Sequence, residues 1–217
     1  MRTRDPFLMA ALLLLLLLPS PAAGQERETP LPPGIRRQLD ILFRTIAGGT
    51  PKDADQAVEE LRRLGRPVMQ ELLAVLQDPT KPRLQRACAQ LLGELGEPAA
   101  IEPLIAALPT ADEATQLEMA IALCRLGSGS GVTRLIDLLA GDDPLMRLRA
   151  ISQLHRFTHQ RFGFRFNGDA DSRAAAILTW KRWWEQHRGN FRPVSGIRPD
   201  PARTPQEPVR RGRGNGR

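Results

Sequence analysis

The sequence has little of what most catalytic and metal sites are built from. Its 217 residues include two cysteines, three histidines and no tyrosine, and aromatic residues make up 5% of the chain. Two cysteines exclude a disulfide-dense scaffold, and their wide separation excludes zinc modules of the Cys/His type. The motifs GxGxxG, GxxxxGK, GxSxG and HExxH are absent as well. We therefore expect a protein that is not an enzyme and that needs no cofactor or metal.

Residues 1–24 have the pattern of a secretory signal peptide. Arg2 and Arg4 precede a twelve-residue apolar run, residues 7–18, and small residues follow it as far as Gly24. A membrane-spanning helix needs roughly 20 apolar residues, so this run is too short to cross a bilayer unaided. We predict cleavage after Gly24, export to the periplasm or the medium, and a short linker over residues 25–33. An uncleaved anchor is the alternative.

The positive charge of the chain is concentrated near its C-terminus. The formal net charge of +7 on its own suggests a nucleic-acid partner. However, residues 188–217 contain eight arginines against Asp200 and Glu207, whereas residues 25–187 contain 21 basic and 21 acidic residues. We predict a neutral folded body and a disordered basic tail over residues 188–217. In an exported protein the tail would contact an acidic protein or an envelope polymer rather than nucleic acid, or would only keep the chain soluble.

Residues 34–157 repeat with a period of 31. The pairs Leu64-Gly65, Leu95-Gly96 and Leu126-Gly127 keep this step, and so do two apolar columns: Leu42, Leu73, Leu104 and Leu135, then Leu61, Leu92, Leu123 and Leu154. Periods of this size indicate stacked supersecondary units. Four such units fit the segment.

Each unit is predicted to hold two helices. The second helix of unit two carries one apolar stripe: Leu84, Ala87, Cys88, Leu91, Leu92 and Leu95. Predicted helix starts are Thr50-Pro51, Asp143-Pro144, and Thr110 with Glu113 as a capping box. The glycines of the three Leu-Gly pairs predict left-handed helix ends. Residues 115–126 are apolar on nearly every face, which predicts a helix covered on both sides.

The segment LQRACAQLLGELGEPAAIEPLIAAL, residues 84–108, resembles the short HEAT-type repeat of the phycobilisome-lyase-like class. In that class the second helix ends in LG-x-LG-(D/E)-P-x-A. The resemblance is strongest in unit two and weakest in unit one. It implies a right-handed α-solenoid used mainly for protein contacts, with a minority of relatives attaching bilin chromophores. The predicted fold is thus all-α, an α-solenoid of about four helix-pair repeats.

An aromatic turn and a helix follow the repeats over residues 158–187. Their F-T-x-x-x-F-G-F and W-x-x-W-W patterns resemble the closing segment of exported bacterial HEAT-repeat proteins, in which a glycine usually follows the threonine; His159 stands there in this chain. One interpretation is a cap that covers the apolar end of the stack, formed by Phe162, Phe164, Ile177, Trp180, Trp183 and Trp184. The other is a platform of Phe164, Trp180 and Trp184 that stacks on a sugar or a peptide. The cap is favoured because a terminal repeat must bury its apolar face.

A row of residues on the second helices is the best candidate for binding a partner. In HEAT-like stacks the second helices line the concave face. The row, which we call the predicted ridge, consists of Arg63, Gln90, Glu94, Ile121, Arg125 and Arg156. Mixed charge around an apolar centre, Ile121, suits a protein segment better than a phosphate chain. An ordinary solvated face is the alternative.

The cysteines and histidines offer weaker candidates. Cys88 lies on the packed stripe, whereas the repeat position of Cys124 is expected to face outward or into the groove. There its thiol is a conceivable site for a chromophore, and a small core hydrophobe is the alternative. His155 and His159 are four residues apart, but no carboxylate follows at ligand spacing, and no metal site is predicted.

The leading hypothesis is a monomeric, exported, non-enzymatic scaffold that binds another protein on its concave face. Two other functions stay open at this point. One is a bilin-lyase-like protein, and the other is a glycan- or peptidoglycan-binding module that uses the tryptophan cluster.

Overall fold

A computed structural model describes residues 31–192, and all regular secondary structure in this range is helical. Nine α-helices follow one another along these residues: α1 Pro33–Gly48, α2 Pro51–Leu64, α3 Met69–Leu76, α4 Pro82–Leu95, α5 Ile101–Ala107, α6 Glu113–Arg125, α7 Gly129–Leu138, α8 Pro144–Thr158 and α9 Ala170–His187. Short 3-10 turns at Arg66–Val68, Pro98–Ala100 and Leu108–Thr110 adjoin α3 and α5. None of the helices in this range is long and apolar enough to cross a membrane.

The first eight helices form successive pairs that stack into an α-solenoid. α1 packs on α2, α3 on α4, α5 on α6 and α7 on α8, and the second helices α4 and α6 lie side by side. The 31-residue period therefore predicted the class of fold correctly. The number of four repeats stays a prediction.

Helix starts follow short side chains that satisfy exposed backbone N–H groups. Thr50 Oγ1 accepts a hydrogen bond from the Asp53 N–H at 3.2 Å, and Asp143 accepts one from the Leu145 N–H at 2.8 Å, which confirms two predicted starts. The predicted capping box at Thr110 is wrong. Thr110 ends a 3-10 turn and donates to the Ala107 carbonyl, so Asp112 caps α6 instead, at 2.7 Å from the Thr115 N–H.

Helix α6 is buried on almost every side, as its apolar sequence predicted. Every residue from Thr115 to Cys124 is buried except Glu118. Two glycines let the neighbouring helices approach it. A Cβ atom on Gly93 of α4 would lie 2.8 Å from the Ala122 Cα, and one on Gly131 of α7 would lie 2.4 Å from the Ala120 carbonyl oxygen. The helix is therefore held between α4 and α7.

A buried donor recurs at one position of the repeat. Gln85, Gln116 and Arg147 are 31 residues apart and at most 8% exposed. Gln85 donates to the Leu76 carbonyl at 2.8 Å, and Gln116 donates to the Leu108 carbonyl at 3.0 Å. Arg147 donates to the carbonyls of Gly141 and Asp142 at 2.7 and 2.8 Å. Each side chain thus binds carbonyls at or just after the end of the first helix of its own pair.

Helix α9 closes the C-terminal end of the stack. Trp180 is fully buried and Trp184 is 4% exposed, both in one core cluster with α6, α7 and α8. The Trp184 indole N–H donates to Thr133 Oγ1 on α7 at 2.8 Å. Before α9, His159 ends α8 in the left-handed conformation, with φ of 55°. In the F-T-x-x-x-F-G-F pattern described above, glycine is usual at this position. His159 adopts the left-handed backbone conformation that favours glycine.

The boundary predicted between the cap and the tail needs a correction. The tail was predicted to begin at Arg188, but Arg188–Asn190 form a 3-10 turn and Phe191 packs edge-to-face on Trp184, with ring centroids 5.4 Å apart. The apolar ring of Phe191 extends the folded part by at least four residues. The predicted signal peptide and the rest of the predicted tail lie outside the described residues.

Candidate functional site

An open groove crosses the second helices of the stack. Its volume is about 710 Å³, and α2, α4, α6 and α8 all contribute to its lining. The charged side chains that line it are Arg62, Arg83, Arg86, Arg149, Asp55 and Glu118. The half-buried Val58 and Ala114 add apolar surface, and the buried Ile46 and Ala87 lie beneath them. A surface that combines charge with apolar side chains over several helices suits a polypeptide segment.

The position of the groove follows from the way in which the first two helix pairs meet. Helix α4 packs more extensively on α1 than on α2. The second helices α2 and α4 are therefore not closely packed along their length. This leaves a space next to α1, and the buried Ile46 lies at the floor of that space.

The lining of the groove contains four arginines and two carboxylates, and Glu94 pairs with one of the arginines, Arg62, from outside the lining. Arg149 pairs with Glu118 at 2.5 Å, and Arg86 lies 3.3 Å from Asp112, just outside the groove. Arg83 is exposed and makes no ion pair with any other residue in the described range. Arg83 and Arg86 are three residues apart on α4, so their side chains lie on the same face of the helix. Arg83 is therefore the guanidinium most open to an incoming anion.

A second charged cluster at the edge of the groove is paired internally. Glu94 accepts from Arg62 at 2.9 Å and from the Gln90 amide at 3.0 Å, and it lies 3.7 Å from Arg125. Burial alone would raise the pKa of Glu94, but the hydrogen bonds from Gln90 and Arg62 and the nearby positive charges outweigh it and hold the pKa below its usual value. Glu94 therefore stays ionised and anchors Arg62.

The structure distributes five of the six residues of the predicted ridge over three environments. Gln90 lines the groove, and Glu94 and Arg125 belong to the cluster at its edge. The side chain of Arg63 is 74% exposed, and Arg156 is exposed as well. The ridge is therefore not one continuous surface.

The apolar centre that was predicted at Ile121 needs a correction. Ile121 is 7% exposed and belongs to the hydrophobic core. The cause is that α6 is covered on both sides, so the position that is exposed on α2 as Glu59 and on α8 as Ser152 is buried on α6. Ile121 cannot contact a partner without unfolding of the stack.

Two exposed leucines that the sequence reasoning missed provide apolar surface instead. Leu145 is 66% exposed and Leu148 is 38% exposed, one turn apart on α8. Leu145 lies one turn before Arg149, and its repeat position is that of Arg83 and Ala114, which both line the groove. The detectable signal was the change in this repeat column from charged residues, Lys52 and Arg83, to apolar ones in the last two units.

Both cysteines are buried, which corrects the expectation that Cys124 faces outward or into the groove. Cys88 and Cys124 are unpaired and 0% exposed, and burial raises the pKa of each thiol. The close approach of α7 explains the burial of Cys124, since a Cβ atom on Gly131 would lie 2.7 Å from its Sγ. A buried, protonated thiol is not a nucleophile.

The two histidines do not form a metal site. His155 stacks against Trp180 with ring centroids 6.2 Å apart, whereas His159 is exposed at the end of α8. Burial and the charge of Arg161 both lower the pKa of His155. Within residues 31–192 no three His, Cys, Asp or Glu side chains are grouped to hold a metal ion.

The aromatic side chains of the cap are packed inward. Phe164, Trp180 and Trp184 are at most 8% exposed, so the interpretation of these three as an open stacking platform is wrong. Phe162, Ile177 and Trp183 are partly buried against the same core cluster. Trp183 stacks on His187 at 4.8 Å. The need to cover the last helix pair explains this arrangement.

Comparison with known proteins agrees with this geometry. Residues 40–114 match the family model for HEAT repeats. The HEAT match runs from α1 to the second residue of α6, which is about a third of the chain. It therefore includes the floor of the groove and the arginines of α2 and α4. A search of curated proteins found no match.

Proposed function

We propose that the protein is a non-enzymatic scaffold that holds a segment of another protein in the groove across α2, α4, α6 and α8. HEAT repeats generally serve as protein-interaction scaffolds. The observation that carries the proposal is a groove of about 710 Å³ that four successive second helices line with both charged and apolar side chains. A single folded chain would bind one such segment as a monomer.

Two features of the described residues disfavour the alternative functions. A bilin-attaching protein needs a reactive thiol, and both thiols of this chain are fully buried with a raised pKa. A glycan-binding module that uses the tryptophans needs exposed ring faces, and Trp180 and Trp184 are buried.

The proposal includes export. Residues 1–24 combine basic residues, a twelve-residue apolar run and a small-residue segment, and this pattern supports a cleaved secretory leader. The partner would then belong to the cell envelope or the medium. Mass spectrometry of the protein from the periplasmic fraction should give a chain that begins at Gln25. A chain recovered from the cytoplasm with Met1 still present would contradict export.

Affinity capture from an envelope extract tests the scaffold function. The bait is the full chain, compared with an Arg83→Glu/Arg86→Glu variant of the groove. The matched control is Arg36→Glu/Arg37→Glu, which makes the same change of charge at exposed positions of α1 away from the groove. We expect the full chain and the control to retain a protein that the groove variant loses. Equal retention by all three baits would contradict binding in the groove.

Two further measurements separate the alternatives. Visible absorbance after incubation with a bilin would support chromophore transfer. Quenching of tryptophan fluorescence by peptidoglycan fragments would support glycan binding. We expect neither signal.

A further inference from the structure

The charge and shape of the groove specify the kind of partner segment, an inference that rests on the proposed function. We propose that the groove binds an extended acidic peptide in which carboxylates face Arg83 and Arg86 and an apolar side chain contacts Leu145 and Leu148.

Charge complementarity is the first argument for an acidic segment. Within the groove, Arg149 already binds Glu118, and the cluster at the edge already binds Arg62. Arg83 has no ionic partner in the described range, and Arg86 has only a 3.3 Å contact with Asp112. Arg83 is therefore available to an external carboxylate, to which arginine binds through paired N–H donors, and Arg86 on the same face of α4 can join it by sharing its contacts with Asp112 and Thr115.

The apolar side chains argue for a peptide over a phosphate polymer. Leu145 and Leu148 are among the few large hydrophobic side chains exposed in the described range, and they belong to α8, the helix whose Arg149 lines the groove. Leu145 precedes Arg149 by one helical turn. At the other end the half-buried Val58 lines the groove. A chain of phosphates offers nothing to bury against these surfaces, whereas an acidic peptide can carry a leucine or phenylalanine next to its carboxylates.

The dimensions suit a short extended segment. Two interhelical spacings separate α4 from α8, and neighbouring helices in contact lie about 9 Å apart, which gives roughly 18 Å. An extended chain covers about 3.3 Å per residue. Carboxylates bound at α4 and an apolar side chain bound at α8 would then be separated by about five residues.

Selection from a phage-displayed library of random twelve-residue peptides on the immobilised full chain tests the proposal. Each enriched peptide is then measured against the Arg83→Glu/Arg86→Glu variant and the Arg36→Glu/Arg37→Glu control. We expect enriched peptides to carry several Asp or Glu residues with an apolar residue about five positions away. Their affinity should fall roughly tenfold or more on the groove variant and stay unchanged on the control. Arg83→Glu alone serves as a milder variant, because this side chain makes no hydrogen bond or ion pair within residues 31–192.

A second variant and its control test the apolar contact that the proposal includes. Leu145→Ser/Leu148→Ser should weaken the enriched peptides several-fold. Leu178→Ser should not, because Leu178 is 48% exposed on α9, a helix that contributes no residue to the lining of the groove.

The outcomes separate this inference from the proposed function. Groove-dependent peptides that are neutral or basic would overturn the acidic chemistry and leave the scaffold function intact. Inorganic polyphosphate that binds more tightly than any peptide, and is lost on the groove variant, would overturn the choice of a peptide. Enriched peptides that bind all variants equally would overturn both the inference and the proposed function.

Discussion

Single glycines set how closely the helices of this stack approach one another. Gly93 and Gly131 occupy contacts that leave no room for even one methyl group, whereas Gly48 has nothing within 4 Å of the position where a Cβ atom would lie. The buried state of Cys124 and Ile121 follows from these approaches, because α6 then has a helix against both sides. The burial of individual residues is therefore decided by their neighbours in other repeats.

Gly93→Ala is expected to destabilise the protein by about 1–3 kcal/mol. The new methyl group would lie 2.8 Å from the Ala122 Cα atom, so α4 and α6 would have to separate. Urea unfolding followed by circular dichroism measures the change in free energy of unfolding. Gly48→Ala is the control and should be neutral or slightly stabilising, because its site is open. Equal stability of the two variants would contradict the close approach.

His155 should make the stability of the protein depend on pH. Burial and the charge of Arg161 lower its pKa in the folded state below the ordinary 6.5. The unfolded chain therefore binds the proton more readily, and the free energy of unfolding contributed by His155 is complete above pH 6.5 and decreases as the pH falls below it. His155→Gln should remove this component, so its stability should decline less steeply than that of the wild type between pH 7 and pH 5, as measured by urea unfolding. Parallel profiles would contradict the shift.

At the level of helices, buried donors fix the end of one helix to the start of the next. Gln85, Gln116 and Arg147 occupy the same repeat position and bind carbonyls at the end of the preceding helix. Arg147 does more than the two glutamines, since its Nε also donates to the Phe166 carbonyl at 2.8 Å. It therefore joins the turn between α7 and α8 to the segment that leads into the cap.

Arg147→Met is expected to lower the free energy of unfolding by roughly 3 kcal/mol, because three partly buried carbonyls lose their charged donor. Thermal and urea unfolding measure the loss. Arg149→Met is a matched control two residues away, with a side chain that is 51% exposed and makes one ion pair, and it should cost less than about 1 kcal/mol. A mild effect of Arg147→Met, comparable to that of the control, would show that water replaces the lost donor.

The helices could be predicted from the sequence more fully than the site. A period of 31, apolar columns and capping residues are local signals, so they identified the helix pairs and the starts at Thr50 and Asp143. The burial of Ile121 and Cys124 depends on how closely α6 meets α7, and no local signal reports that distance. The groove was predicted only in part, for the same reason. Gln90 belongs to the predicted ridge and lines the groove, whereas Arg83, Arg86 and Arg149 were not predicted to line it. No local signal reports that α2 and α4 are not closely packed.

At the scale of the whole molecule, the two ends of the described stack differ. Helix α9 covers the last pair, with Trp180 and Trp184 in the core and Lys181 placed 3.8 Å from Asp137 of α7. At the other end Ile41 of α1 is 60% exposed beside an open cavity of about 580 Å³. The apolar end of the last helix pair is therefore covered mainly by α9 and by the ring of Phe191.

Truncation locates the end of the folded unit. A chain that ends at Arg192 should have the same helical circular-dichroism signal and melting temperature as the full chain, because Arg192 follows the last ring that packs on the cap. A chain that ends at His187 should lose about 1 kcal/mol, since Phe191 no longer packs edge-to-face on Trp184. Phe191→Ala in the full chain is the control that assigns this loss to the ring. If the His187 truncation melts like the full chain, Phe191 contributes nothing to the cap; if the Arg192 truncation is destabilised, the cap needs residues beyond Arg192.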